Sequence, residues 1–472
     1  MTQPTEITQP TDSPAAQSTL DPALTARWQA RLAELVAAHG VGASLAIMHR
    51  GEVLAEAAAG WAHQGAGIEA STDTVFQIGS ISKVWTATVA MALVDEGLLE
   101  LDAPVVDVLP ELRLLDDAVA AQVTLRHLLT HSSGIDGDFF SDTGRGEDNL
   151  EKYVAQLAEV ALTHPLGATM SYCNAGFTLL GRILERVTGV QWDELMRQRL
   201  FRPLGLKQTG TLPEEALLHR AALGHIGTPP APAPVWGLMR SAGPAGLIHS
   251  TPREVLAFAK LHLDGGLAAD GTRVLSQKSV EAMQEPQIEV PDSWVLATHW
   301  GLGWFLDEWD GAKVYGHDGG TIGQSAFLRI LPEHDLAICL LTNGGDTFAL
   351  YRAVFDEIAE EFAGVRMRPA LEPSAEPLEF DPADYVGTYE RASTRLDITE
   401  RDGGLVMTVT LTGIIATVAG GDPIEMPLRT FLPGVFLTKR PELDAWLSVV
   451  FYELADGTRY IHHGARATPK VG

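Results

Sequence analysis

The chain has 472 residues, 46% of them hydrophobic, enough to bury a sizeable core in more than one domain. A formal charge of −27 argues against nucleic acid or an anionic membrane as a partner and fits an acidic surface that keeps the protein soluble. The two cysteines, Cys173 and Cys339, give no disulfide framework, and no Cys/His cluster points to a metal.

Residues 1–21 open on Met1-Thr-Gln-Pro-Thr-Glu-Ile, a polar Pro/Thr-rich stretch with neither the basic nor the apolar region of a signal peptide. They read as a disordered leader. No apolar run reaches bilayer length, so a soluble cytoplasmic protein is expected. From Pro22 to His39, Leu24, Trp28, Leu32, Leu35 and Val36 recur at spacings of three and four, which predicts an amphipathic helix. Ala43 to Gly60 reads as two strands joined at Arg50-Gly51-Glu52, the first hairpin of an antiparallel sheet. The apolar run Val75-Phe-Gln-Ile-Gly79 then gives way to a helical pattern opening at Ser80, with Val84, Val89, Leu93 and Val94.

Val123 to Gly134 is predicted as a capped helix ending at glycine. His127 and His131 within it have the spacing of a metal pair but lack the glutamate of a metalloprotease helix, and are read as structural. The polar stretch Asp136 to Asp148, with Phe139 and Phe140, is either a connection or a lid. Apolar alternation returns after Leu302 as consecutive antiparallel strands, and a helix from Asp346 to Ala363 closes the unit. Hairpin first, helices in the middle and sheet last predict an α+β domain over residues 22–368. Pro369 to Pro377 reads as a linker, and the short strands and tight turns of residues 378–472 predict a small all-β barrel or sandwich.

Three constellations carry chemistry. Ser80 sits at a helix start, where free N–H groups and the helix dipole stabilise an anion, and Lys83 shares its face one turn on. A partly buried lysine of lowered pKa can activate a serine; the alternative is that Ser80 merely caps the helix. Tyr172 and Asn174 flank a cysteine just before an apolar helix. A phenol beside an ammonium is expected to have its pKa pulled down and so to move protons, while Asn174 orients Lys83 or holds a substrate carbonyl. A core tyrosine with a capping asparagine is the alternative. His317-Asp-Gly319-Gly320 ends a strand in glycines that allow close backbone approach, so the N–H groups of Gly320 and Ser80 could form an oxyanion hole, unless the glycines only serve a turn.

In order and spacing, Ser80-x-x-Lys83, Tyr172-x-Asn174 and His317-x-Gly319 resemble the three motifs of the serine β-lactamase and penicillin-binding-protein-like hydrolases, specifically the class C-like branch. Leu125-Arg-His-Leu-Leu-Thr-His-Ser-Ser-Gly, Arg202-Pro-Leu-Gly-Leu and Gly243-Pro-Ala-Gly-Leu-Ile-His-Ser-Thr extend the resemblance, and the C-terminal segment is similar to the lipocalin-like barrel of some members. The resemblance implies a serine hydrolase that needs no cofactor or metal. Ser80 would form an acyl-enzyme on an ester or amide of a small molecule or peptide, Lys83 and Tyr172 would move protons, and Ser80 and Gly320 would hold the oxyanion. His317 stands where the β-lactamase signature has lysine, which counts against efficient antibiotic hydrolysis and favours the esterases, D-amino-acid peptidases and penicillin-binding-protein-type thioesterases of the family. A thioesterase that releases or cyclises a nonribosomal peptide is the alternative within enzymes, and a ligand-binding protein on the same scaffold the alternative outside them. Phe139, Phe140 and Trp304 are the expected specificity residues. Arg466, near the end of the barrel, either reaches a substrate carboxylate or carbonyl in the cleft or lies on the surface.

Overall fold

The structure, a computed structural model, describes residues 20–472 apart from 295, 414, 415, 417–421 and 440–444. Residues 1–19 of the expected leader therefore lie outside the described residues. Asp21 already belongs to the fold: its carboxylate accepts from the N–H groups of Ala23 and Leu24 and caps the helix Pro22–His39, with proline at the first helical position.

A nine-stranded antiparallel sheet forms the centre of the first unit. Its opening hairpin, Gly42–His49 with Glu52–His63, turns at Arg50 and Gly51, both at positive φ as a tight two-residue turn requires. The last strand, Leu336–Thr342, pairs with the first, Ala43 opposite Thr342 and His49 opposite Leu336. Next come Ser325–Leu331, Ala312–Gly320 and Phe305–Trp309, each antiparallel to its neighbour. The chain ends of the unit thus meet in mid-sheet, as the pattern of hairpin, helices and returning strands predicts.

Helices cover both faces. Pro22–His39 and Thr347–Ala363 bury Trp28, Leu32, Leu35, Leu350, Val354, Phe355 and Ile358 against one face. Against the other lies the helical region, centred on Ile81–Asp95, with Asn174–Thr188 and Pro252–Leu263 around it. All residues of Ile81–Asp95 from Ile81 to Leu93 are buried. A helix buried on every side lies inside the protein, which places its N-terminus, and Ser80, at the junction of sheet and helices.

The expected helix over Val123–Gly134 is shorter: it runs Leu125–Leu129, capped by Thr124. His131 takes a positive φ of 56°, which ends helical geometry and carries the chain away toward Tyr172.

The last eight strands, from Gly387–Arg391 to Arg466–Pro469, form a second antiparallel sheet in which each strand pairs with the next. The sheet curls until its ends meet, with the Thr388 N–H donating to Gly472 O at 2.8 Å and the Val471 N–H donating to Thr388 O at 2.8 Å. Tyr389, Leu396, Ile398, Met407, Met426, Phe436, Val449 and Ile461 fill its interior. Three of these strands, Ile424–Leu432, Val435–Lys439 and Arg466–Pro469, lack a clear sequence signal. No helix among the described residues is long and apolar enough to cross a membrane.

Burial leaves several imidazoles uncharged. His249, His262 and His462 are each held down at about 3, in every case chiefly by desolvation. An unfolded chain protonates these groups near 6.5 while the native protein declines the proton, so stability falls as pH drops below about 6.5. The midpoint of urea unfolding is expected to decrease steadily from pH 7.5 to 4.5, and His262→Gln to flatten that slope. A midpoint constant over this range would contradict the assignment.

Candidate active site

Ser80 immediately precedes the helix Ile81–Asp95, and its side chain makes no capping bond. Its hydroxyl faces Lys83 instead, with Nζ 2.9 Å from Oγ. The lysine amine also donates to Ala245 O at 2.7 Å, and among the described residues no carboxylate pairs with it. Lys83 is fully buried. Desolvation, followed by the nearby Arg466 cation, drives its pKa well below the ordinary lysine value.

The backbone beneath Ser80 is built by close approach. Gly79 takes a positive φ of 51°, and the strand Ala312–Gly320 runs against the turn so tightly that a Cβ on Gly319 would stand 1.9 Å from Ile78 O and 3.1 Å from Ser80 N. A Cβ on Gly320 would meet nothing within 4 Å, because that position opens into the cleft. The turn commits the N–H groups of Ile81, Ser82 and Lys83 to the carbonyls of Ile78, Gly79 and Ser80. Ser80 N–H therefore stands beside the Gly319–Gly320 backbone at the mouth of the cleft.

Tyr172 is buried between the two units. Its hydroxyl interacts with Ser80 and lies 3.5 Å from His317 Nε2, and Lys83 Nζ is 4.8 Å from its ring centroid. His317 donates through Nδ1 to Asp318 O at 2.6 Å. Burial, with Lys83 second, holds this imidazole at about 3, so it is neutral and Nε2 is an acceptor. The Tyr172 phenol departs from expectation: burial pushes its pKa up, against the smaller lowering by Ser80 and Arg466. Desolvation outweighs the neighbouring charges at Tyr172, and the same desolvation lowers the Lys83 pKa.

Asn174 lines the cleft and does not cap its helix; Cys173 does, its Sγ accepting from Gly176 N–H at 3.1 Å. The Asn174 amide donates to Asp138 Oδ1 at 3.4 Å. His131, outside the three motifs, packs its ring 4.3 Å from that of Tyr172, and its Nδ1 accepts from Cys173 N–H at 3.0 Å. His127 completes the cap of its own helix with Thr124.

Two cavities share Ser80, Tyr172, Gly320 and Arg466 in their walls. One, of about 330 Å³, is walled by Leu296, Trp300, Phe305, Phe327 and Gly319. The other, of about 340 Å³, is walled by Phe140, Asn174, Leu238 and Ile322. Trp304 is in neither: it is fully buried against Phe258, His262 and Tyr315, and its neighbour Phe305 faces the cleft because successive strand residues point to opposite faces. Phe139 likewise packs on Tyr153, with ring centroids 5.3 Å apart, and is in neither wall. Of the expected aromatics, Phe140 alone among the described residues reaches the Ser80 cleft.

Arg466 is no surface residue. Its guanidinium lies 4.8 Å from the Tyr172 ring centroid and donates from Nε and Nη2 to Asp138, at 2.8 Å for Nη2. Arg391 donates to the other Asp138 oxygen at 2.5 Å, and Ala392 N–H donates to Asp136 at 2.8 Å. Burial raises the Asp138 pKa, but the two guanidiniums outweigh it and hold the carboxyl below the usual range. The stretch that reads as connection or lid is thus a clasp on the C-terminal strands. No local pattern marks Asp138, because its partners lie 253 and 328 residues away in sequence.

A serine facing a buried lysine at a helix start, with a tyrosine at hand and glycine backbone beside it, defines a serine hydrolase of the antiparallel-sheet and helix type. The beta-lactamase family matches residues 28–361, and the chain belongs to that family. Penicillin-binding protein 4 of Amycolatopsis lactamdurans is 48% identical over 372 residues, covering 78% of this chain and 97% of that protein. Among solved structures, SurE with D-Leu superposes with a TM-score of 0.74 at 25% identity, covering 96% of this chain and 100% of that one. The D-amino acid amidase of Ochrobactrum anthropi SV3 complexed with L-phenylalanine gives 0.59 at 26% identity, covering 71% of this chain and 99% of that one.

The glycines make a paired test. Gly319→Ala drives a Cβ into backbone and is expected to cost about 1–3 kcal/mol of stability with loss of activity, whereas Gly320→Ala keeps the wild-type melting temperature. Equal melting temperatures for the two variants would contradict the close approach.

Proposed function

We propose that Ser80 is the nucleophile of an ester- or amide-cleaving hydrolase that works through an acyl-enzyme. The observation that carries this reading is the buried, carboxylate-free Lys83 amine 2.9 Å from Ser80 Oγ. As an uncharged amine it accepts the Ser80 proton while Oγ attacks the substrate carbonyl. The N–H groups of Ser80 and Gly320 hold the oxyanion. Tyr172, a phenol in the free enzyme, passes its proton to the leaving group and takes back the one that Lys83 received from Ser80, so both return to their starting forms, with neutral His317 Nε2 an acceptor that orients the hydroxyl. Water or an amine then attacks the ester carbonyl of acyl-Ser80 and returns the enzyme.

Asn174 meets the amide of the acyl part, while Arg466, in the wall of both cavities, meets a substrate carboxylate or carbonyl. The aromatic cavity around Trp300 and Phe305 suits an apolar side chain. Similarity to an amidase for D-amino acids and to SurE, whose structure holds D-Leu, favours amides or esters of D-residues in peptides. Release or cyclisation of a peptidyl thioester is the second reading; it uses the same acyl-Ser80 with an amine of the acyl chain in place of water, and rests on the resemblance of the three motifs. With His317 neutral, the third motif offers no cation to a β-lactam carboxylate, so penicillin turnover is slow.

Hydrolysis of p-nitrophenyl acetate, of D- and L-phenylalanine amides and of benzylpenicillin by wild type and Ser80→Ala tests this. The ester and at least one amide enantiomer are expected to turn over, with kcat/KM falling about 10³-fold or more in Ser80→Ala and penicillin the poorest substrate. Equal rates in the two proteins would refute the assignment. The rate falls as pH drops through the Lys83 pKa, because protonation removes the base.

A further inference from the structure

Burial is the largest cause of the lowered Lys83 pKa, and the next comes from outside the catalytic unit. The groups that face the amine are the Ser80 hydroxyl, the Ala245 carbonyl and the Tyr172 ring. Around them lie His131 and His317, both kept neutral by burial, and Cys173, whose thiol burial keeps protonated. The charged neighbours come next. Asp318 is paired with Arg329 at 2.5 Å, and Asp138 is shared between Arg391 and Arg466. Asp136 accepts from Ala392 N–H.

Arg466 shares the single Asp138 carboxylate with Arg391, so these three groups together keep one net positive charge. Lys83 Nζ and the Arg466 guanidinium both lie 4.8 Å from the centroid of the Tyr172 ring, so they are no more than about 10 Å apart. The Arg466 side chain is 18% exposed, so little water screens it. A guanidinium stays charged at any working pH, so when two cations are forced together in a dry site the lysine gives up its proton. Asp138 pulls the other way, yet its effect on Lys83 ranks below that of Arg466.

We propose that Arg466, carried on the last hairpin of the C-terminal barrel, keeps Lys83 in its unprotonated, base-competent form, and that Asp138 is the positioning residue that holds Arg466 there. The inference rests on the reading of Lys83 as the base of Ser80. It gives the barrel a part in the chemistry beyond any contact with substrate. The clasp is anchored independently of Arg466: Arg391 and Ser393 also donate to Asp138, and the Tyr172 N–H donates to Ala465 O at 2.9 Å. The hairpin that bears the cation is thereby tied to the segment that bears Tyr172.

The test is the pH dependence of kcat/KM for p-nitrophenyl acetate, an uncharged ester that offers Arg466 no carboxylate, in the full-length wild type, Arg466→Gln and Arg466→Lys. In Arg466→Gln the acid limb is expected to move up by about one pH unit, a roughly tenfold loss on the acid side relative to the variant's own plateau. Arg466→Lys, which retains the charge, is expected to stay near the wild-type limb. Arg466→Met keeps an apolar stem over the Tyr172 ring and repeats the measurement should the glutamine variant not fold. A limb that stays put in the neutral variants, or moves down, overturns the proposal, even if the plateau drops. Ser80→Ala separates the two levels: if it retains the esterase activity, the reading of the site has failed, and if it loses it while the limb stays fixed, only the role of Arg466 has.

Discussion

Burial of one amine without a carboxylate is the constraint on which the site depends. An ammonium in so dry a place costs several kcal/mol unless it is paired, and Lys83 has a serine hydroxyl and a carbonyl to face instead of an anion. The neutral form avoids that cost, and it is the form that the proposed role of Lys83 as a proton acceptor requires. The surrounding architecture serves this burial. The Ile81–Asp95 helix is enclosed on every side, the Ala312–Gly320 strand closes on its N-terminus through glycine, and neutral imidazoles fill the flanks.

The seam between the two units passes through the site. The Ser171–Tyr172 segment is hydrogen-bonded to the barrel at Ala465 and Ala467, Thr169 meets Tyr452, and Met170 O meets His462. Asp138 with its two arginines adds an ion cluster at the same place, and breaking such a cluster by removing one member typically costs about 3–5 kcal/mol because it strands a buried charge. Groups this interdependent hold one relative placement of the units. Cleft shape and barrel docking are therefore a single problem for this fold, and changes to the barrel's last hairpin act directly on the walls of both cavities.

What the sequence revealed followed the range of the interactions. Ser80 and Lys83 are one helical turn apart, and the hairpin Gly42–His49 with Glu52–His63 announces itself by alternation and a turn pair, so both were legible locally. Family resemblance supplied the order of the three motifs. The Asp138 clasp was illegible because no periodicity joins residues hundreds of positions apart. Trp304 misled because a tryptophan beside a strand carries no mark of which face it takes, and its parity with Phe305 turned it into the core. The shortened Leu125–Leu129 helix was missed because it is tertiary packing of His131 on Tyr172, and not local propensity, that turns the chain at that point.

The central claim is covalent chemistry at Ser80 driven by an uncharged Lys83. Intact mass after brief exposure to an activated acyl ester, with the modified peptide located by fragmentation, tests it most directly when wild type, Ser80→Ala and Lys83→Gln are treated side by side at neutral pH. The account predicts a single acyl increment on the Ser80 peptide in wild type, none in Ser80→Ala, and a far slower one in Lys83→Gln. An increment on another residue, or equal acylation of the wild type and Lys83→Gln, would contradict it.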